Sequence, residues 1–574
     1  MVATPVKTKR LTVQVADLTA DTTAIRSLDW DRDRFDIEFG LQNGTTYNSY
    51  LIRGEKIALV DTSHEKFRQL YFDSLNGLIN PQEIDYLIIS HTEPDHSGLV
   101  RDILQLAPNI TVVGSKVAIQ FLENLVHHPF QRQLVKNGDQ LDLGNGHILE
   151  FVNAPNLHWP DTIFTYDHGS GILFTCDAFG MHYCSDDLYD EQLSAIEPDY
   201  RFYYECLMAP NARSVLAAMK RMEPLGNINL VANGHGPVLK HNVTELLTHY
   251  RDWSQAQTKA EKTVAVFYIS DYGYSDRLCQ SIAKGITKTG LAVETLDLKS
   301  ADPQEVKELA SSAVGIVIGT PPVSGIHAQE ITGNLGTILA SVNPKQYLGM
   351  FESKGDDDES ILPLFNKFRE VGLTKAFDPI RSAETPNESL YQRCEEAGTD
   401  MGQLLTQEVK VKQRKSLDTD LDKAIGRISG GLYIITTKKG DRSGAMVASW
   451  VTQASFDPPG FTVAVAKDRA IESLMQVGDQ FILNILEEGN YQTLMKHFLK
   501  RFGPGEDRFA GVNTRTANNG SPILADALAY LECEVVSRME CADHWIVYNK
   551  VTDGRVSKPD SLTAVHHRKV GNYY

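Results

Sequence analysis

His91-Thr92-Glu93-Pro94-Asp95-His96 is the stretch from which the rest of this chain can be read. It follows the apolar run from Ile84 to Ile89, whose length and β-branched content predict a buried strand. The ligand-type side chains therefore sit on the loop leaving a strand end, where a rigid sheet can aim them. Two histidines and two carboxylates within six residues point to a metal site. Glu93 carries the most information. A histidine there would suit zinc, whereas a carboxylate hardens the site and shifts the preference toward iron or manganese.

Three later segments supply more ligands of the same kind. His158 lies in LHWPD after the strand predicted at Leu149 to Asn153. Asp177 closes the strand predicted at Ile172 to Thr175, and His235 follows the strand predicted at Asn229 to Ala232. Taken singly, a lone histidine is more often a packed or capping residue than a ligand. Taken together with His91, Glu93, Asp95 and His96, these residues exceed what one ion needs, and two metals bridged by a carboxylate would use them fully. His64, His127, His128, His168 and His182 have no such context and are read as ordinary surface or core residues.

Size and composition set the frame. A chain of 574 residues is too long for one core and implies three or four domains. Lys plus Arg number 56 against 74 Asp plus Glu, a formal net charge of -18, which argues against nucleic-acid binding. The seven cysteines form no CxxC pair, so a zinc ribbon, a rubredoxin-like iron site and a disulfide framework are not expected. No apolar run approaches the roughly 18 residues needed to span a bilayer, and the first residues lack the apolar core of a secretory signal. The expectation is a cytoplasmic protein with no integral membrane segment.

The rhythm of the chain changes twice. A polar stretch from Ser254 to Lys262 reads as a linker. After it, strands at Thr263 to Ile269, Leu291 to Leu298, Ala313 to Gly319 and Gln346 to Phe351 alternate with helical patterns such as Asp276 to Lys288. That alternation predicts a doubly wound parallel sheet. A second polar stretch, Glu408 to Asp418, reads as another linker. Strand-rich sequence follows at Gly431 to Thr437, Ala445 to Thr452, Phe461 to Ala466 and Phe481 to Ile485, as in a β-barrel. The expected domains are thus 1–255, 262–408 and 418–574.

Ser270 to Ser275 joins the first strand of the middle domain to its first helix. Hydroxyl side chains and a single glycine before a helix form a phosphate cradle, with Ser270, Tyr272, Gly273 and Ser275 as candidates. With no GxGxxG, a monophosphate such as FMN fits better than a dinucleotide. The loops beginning at Thr320-Pro321 and around Ser353 and Gly355 follow the third and fourth strands and would flank the flavin ring. Asp356 to Asp358 place three carboxylates nearby, which would disfavour an anionic reduced flavin.

The pattern His91-x-Glu93-x-Asp95-His96, with His158-Trp159-Pro160-Asp161, Asp177-Ala178-Phe179-Gly180 and Gly234-His235-Gly236, resembles the metallo-β-lactamase-like module of flavodiiron proteins. The resemblance implies an αββα sandwich holding one iron by His91, Glu93 and His158, and another by Asp95, His96 and His235, with Asp177 bridging. The equivalent of His96 is not a ligand in every family member. The middle domain resembles the flavodoxin-like FMN domain of the same family. It departs from that family at Lys354-Gly355-Asp356, where relatives often carry an aromatic-rich Tyr-Gly-Trp loop. The last domain resembles a split-barrel NAD(P)H:flavin oxidoreductase through Ile425 to Gly431, Ala445 to Trp450, Ser455 to Pro459, Asp543-His544-Trp545 and Tyr573-Tyr574. There Ser449 and Lys467 are candidate contacts to a second flavin, FMN or FAD.

The order diiron, flavodoxin-like, flavin reductase is similar to that of the fused flavodiiron proteins of oxygenic phototrophs. The resemblance implies reduction of O2 to water as a photoprotective electron sink, with NAD(P)H or ferredoxin as donor. It also implies a head-to-tail homodimer, or a hetero-oligomer with a paralogue, because flavin and iron are far apart within one protomer. Three alternatives stand beside it: NO reduction to N2O at the same irons, a zinc hydrolase with accessory flavin modules, and a regulatory subunit with little turnover.

Overall fold

In the computed structural model, residues 10–35, 39–270, 274–299, 301–320, 328–353, 361–382, 385–416 and 419–568 are described. The chain divides into two compact units, one ending at Glu261 and the other beginning at Lys262.

Two sheets make the first unit. One has seven strands and contains Thr45–Arg53, Ile57–Val60, Tyr86–Ile89 and Thr111–Gly114 side by side; the other has five and contains His147–Asn153, Ile163–Asp167, Ile172–Cys176 and Leu230–Asn233. Successive side chains on a strand point to opposite faces, and the sequence uses this throughout. Leu51, Leu59, Leu87 and Val112 pack with Phe67, Tyr71 and other residues of the flanking helices. Their strand neighbours Ile52, Val60, Ile88 and Val113 pack against Phe151, Ile172 and Phe174 of the second sheet. Helices cover the outer face of that sheet as well, the Ala212–Met222 helix lying on the His147–Asn153 strand. The result is an αββα sandwich, with strand ends of both sheets carrying the ligand loops.

The second unit opens with a parallel sheet. Ala292–Asp297, Thr263–Tyr268, Gly315–Gly319 and Tyr347–Ser353 lie in that order, followed by Thr374–Lys375 and Ile380–Ser382, both paired to the last. This is a doubly wound sheet whose order reverses beside the first strand. Alternation again decides the faces: Val264, Val266 and Tyr268 enter one core, and Ala265, Phe267 and Ile269 the other.

An antiparallel seven-stranded sheet follows, curled around one apolar core that includes Ile435, Phe461, Phe481 and Val547. The strand expected at Ala445 to Thr452 is two strands, Arg442–Ala448 and Val451–Phe456, which lie at opposite edges of the sheet. The chain breaks at Ser449-Trp450 to cross between them, as a split barrel requires. The long hairpin Ala529–Cys541 and His544–Val556 was not anticipated.

Neither expected linker is irregular over its whole length. The Val243–Thr258 helix runs into the first, and the Glu388–Ser416 helix runs through almost all of the second. The first stretch is rich in Gln, Lys and Ala and the second in Lys and Arg, residues that favour helix. No helix among the described residues is long and apolar enough to cross a membrane.

The Glu388–Ser416 helix packs closely on the Tyr274–Thr287 helix because glycines line the contact. A Cβ at Gly285 would stand 2.0 Å from the Glu395 carbonyl oxygen, and one at Gly398 would stand 2.1 Å from that of Ile282. Gly398→Ala must therefore push the helices apart. It is expected to cost about 1–3 kcal/mol, read as a lowered midpoint for the second unit in urea unfolding. Unchanged stability would show that the contact is looser than described.

Candidate metal centre

The ligand loop is fixed by short polar contacts before any metal is considered. Asp61, at the end of the Ile57–Val60 strand, accepts the Ser90 amide at 2.8 Å. The Ser97 hydroxyl donates to the Thr92 carbonyl at 2.7 Å and the Thr62 hydroxyl to that of His96 at 2.5 Å. Pro94 begins the helical turn Pro94–Ser97, where its missing N–H costs nothing. Asp177 is aimed by a strained turn, with Cys176 and Phe179 on either side at φ 52° and 62°. Gly234 makes room for His96, since a Cβ there would meet the ring carbon Cε1 at 2.6 Å.

All seven sequence-predicted ligands come together, in two groups. In the first, Glu93 Oε2 lies 3.3 Å from His91 Nε2 and 3.0 Å from His158 Nε2, and Asp177 Oδ2 lies 3.4 Å from each of those nitrogens. In the second, Asp177 Oδ1 lies 3.0 Å from His96 Nε2 and 3.2 Å from His235 Nε2, with Asp95 oxygens 3.6 and 3.4 Å from the same two nitrogens. One carboxylate thus turns one oxygen to each group. Ligands about 2.1 Å from an ion at right angles to one another are separated by about 3.0 Å, so these spacings suit two ions sharing Asp177. Among the described residues, Asp177 Oδ2 is a buried acceptor with no hydrogen-bond partner, as a metal-facing oxygen would be.

Behind the ligands sit groups that hold the rings. His91 Nδ1 donates to Asp161 Oδ1 at 2.9 Å, and Asp161 Oδ2 accepts the Thr92 amide at 2.8 Å. His235 Nδ1 donates to the Thr46 carbonyl at 2.6 Å. Each contact turns the opposite nitrogen, Nε2, toward the centre. Among the described residues His96 Nδ1 is buried with no partner, so no contact of this kind turns its ring, which meets Asp177 through Nε2. Tyr203 donates its hydroxyl to Asp177 Oδ1 at 3.0 Å. His182, read from sequence as an ordinary residue, packs on His235 with ring centroids 4.6 Å apart and meets the Thr45 hydroxyl at 2.7 Å.

Burial opposes charge here, yet the mutual attraction of the groups outweighs it. Burial would raise the carboxyls of Glu93 and Asp177; the histidines around them hold both well below the usual carboxylate range. Burial would lower the histidines, but the carboxylates push His96 up to about 9 and His158 up to about 10. Without metal these rings retain protons at neutral pH, and an incoming cation displaces them. His182 goes the other way: burial and the neighbouring His235 hold it well below the ordinary histidine value, so it stays neutral.

The flavin candidates separate into those that can be placed and those that cannot. Ser270 donates its hydroxyl to Asp297 at 2.7 Å, and the Ser275 and Ser353 hydroxyls meet at 2.8 Å. Thr320, at the end of the third parallel strand, is buried, and its hydroxyl has no partner among the described residues. These four gather at the carboxyl ends of adjacent strands. Tyr272, Gly273, Pro321 and Gly355 lie outside the described residues. Ser449 is buried at the strand break, while Lys467 pairs with Glu540 and lies over the Trp545 ring, 5.3 Å from its centroid. Sequence reasoning missed the roles of Asp161, Tyr203 and His182. Asp161 stood inside the quoted HWPD motif, whereas Tyr203 and His182 carry no local signal.

Two electron-carrying folds joined to a cage for two ions make an oxidoreductase rather than a hydrolase, and comparison with known proteins agrees. Residues 45–236 match the family model described as ODP family beta lactamase, and residues 425–573 the one described as flavin reductase like domain. The chain is 70% identical to diflavin flavoprotein A 1 of Synechocystis sp. PCC 6803, over 99% of this chain and 98% of that protein. It is 69% identical to putative diflavin flavoprotein A 3 of Nostoc sp. PCC 7120, over the full length of both. The solved flavodiiron core of Flv1 from Synechocystis, a metal-soaked crystal, is 38% identical with a TM-score of 0.63, covering 69% of this chain and 99% of that one. The chain belongs to the flavodiiron family, among its diflavin flavoproteins.

Asp161→Asn keeps the size of the side chain but weakens its hold on His91. It is expected to lower metal affinity about 10–100-fold, measured by competition with a chelator. Wild-type affinity would show that His91 needs no such support.

Proposed function

We propose that this oxidoreductase reduces O2 to water at two irons, with electrons passing from NAD(P)H through a second flavin and FMN. The observation that carries this reading is Asp177, whose two oxygens face separate ligand groups, with Glu93 supplying the carboxylate that favours iron over zinc. Full reduction consumes four electrons and four protons per O2 and yields two waters. The irons, when bound, supply open positions for a small gas and two of the electrons, and flavin converts the paired electrons of a hydride into single ones.

The chain's own residues do the rest. His91, Glu93 and His158 would hold one ion, Asp95, His96 and His235 the other, and Asp177 both. Burial pushes the Tyr203 hydroxyl well above its ordinary pKa, so it keeps its proton and offers an O–H beside the centre at neutral pH. Ser270, Ser275, Thr320 and Ser353 gather where a doubly wound sheet binds its ligand, which supports FMN there; Tyr272, Gly273, Pro321 and Gly355 complete that site from sequence alone. Ser449 and Lys467 would serve the second flavin, FMN or FAD. A net charge of -18 disfavours an acidic ferredoxin as donor, and the match to a flavin reductase like domain supports NAD(P)H. In this reading the protein is a cytoplasmic electron sink that works as a head-to-tail homodimer or with a paralogue.

Iron- and flavin-loaded protein, reduced anaerobically with NADH or NADPH and then exposed to O2 or to NO, tests the proposal. Consumption of O2 without release of peroxide is expected, and Asp177→Ala and His235→Ala should abolish it. Full activity in either variant would overturn the diiron reading, and turnover of NO alone would reassign the substrate.

A further inference from the structure

The Glu388–Ser416 helix has two working faces. Tyr391, Cys394, Met401 and Leu405 are buried in the core of the doubly wound sheet. Glu388, Gln392, Glu396, Asp400 and Gln403 recur at three- and four-residue spacing and so form a stripe on another face. Each of these five contacts the strand-rich domain that follows. Gln392 donates to the Ser443 carbonyl at 2.8 Å, and Gln403 to that of Asp468 at 3.0 Å. Glu388 pairs with Arg442 at 3.2 Å and Asp400 with Arg501 at 3.4 Å. Glu396 pairs with Arg508 at 2.9 Å and accepts the Gly505 amide at 2.9 Å.

Beside the stripe runs a chain of buried charges. Glu395 pairs with Lys284 at 3.1 Å and with Lys288; Lys288 reaches Glu472 at 2.9 Å; and Glu472 pairs with Arg538. The side chains of Lys288, Glu472 and Arg538 are 5–9% exposed. Lys288 follows the helix of the doubly wound domain that begins at Tyr274, whereas Glu472 and Arg538 belong to the barrel. The apolar clusters of the two domains stay separate: among the described residues, none contains side chains from both.

We infer that the polar face of this helix is a docking surface for the chain's own flavin reductase domain, held by charge and hydrogen bonds, with the buried Lys288–Glu472–Arg538 chain as its lock. Interfaces between domains that lack an apolar seam permit relative motion. Here the docked state buries charges that compensate one another only while the chain of pairs across the seam is complete. Neutralising one member leaves its partner buried and uncompensated, which favours separation. Arg538 also lies 4.2 Å over the Trp545 ring, so the lock ends beside the Asp543-His544-Trp545 stretch that carries the resemblance to flavin oxidoreductases. The inference is independent of which gas the metal centre reduces.

Hydrogen exchange at the Gly505 amide reads the dock directly, because this amide donates to Glu396 of the helix, while Lys288 and Glu472 pair elsewhere. In the flavin-loaded full chain, Lys288→Met and Glu472→Gln are each expected to speed exchange at Gly505 roughly a hundredfold, with the Thr263–Tyr268 strand still protected. The double variant should be no faster than the quicker single one, since both break one interaction. Unchanged exchange at Gly505 in Lys288→Met, or additive effects in the double variant, would overturn the dock. Should Glu472→Gln lose the barrel fold, Lys288→Met and Arg508→Met carry the test, and wild-type exchange in both would overturn it equally.

Discussion

The metal centre rests on the burial of Asp177. Its two oxygens lie among four histidine nitrogens at 3.0–3.4 Å, with Glu93 and Asp95 close by. Three carboxylates in so dry a place would be strongly unfavourable without compensating positive charge. The histidines provide part of it by holding protons when no metal is present. Two divalent ions held by these residues would provide it more fully. The surrounding fold serves this arrangement. Two sheets bring four strand ends to one place, Asp61 and Ser97 pin the first loop, and Asp161 and the Thr46 carbonyl orient the rings.

The sequence made the candidate ligands legible because they are local and dense. His91 to His96 carry four in six residues, and His158, Asp177 and His235 each follow a recognisable strand. The supporting shell was not legible. Asp161 is a ligand-type residue doing a different task, and only its 2.9 Å contact to His91 separates the two roles. Tyr203 lies on a helix 26 residues beyond Asp177 in the chain, and His182 looks like any packed histidine until His235 is seen against it.

The fold was legible where short apolar runs stand between polar loops. Such runs located Ile84 to Ile89, Leu149 to Asn153, Ile172 to Thr175 and Asn229 to Ala232 in the sandwich, and the four strands expected in the parallel sheet, to within a few residues. This signal failed where continuous apolar sequence hides a break, as at Ser449-Trp450, and where polar composition suggested a linker. Gln, Lys and Arg are as much at home in a helix as in a loop, and tertiary contacts decide between them. The Glu388–Ser416 helix shows the consequence: the residues that made its continuation look like a connector are those of an element that ties two domains together.

Asp177 can be tested most directly by anaerobic titration of metal-free protein with isotopically enriched iron, followed after oxidation by Mössbauer spectroscopy in an applied field. The account predicts that iron fills the site to two per chain and that the oxidised pair is magnetically coupled, with coupling lost in Asp177→Asn. Saturation at one iron per chain, or two ions that behave as magnetically isolated, would contradict it.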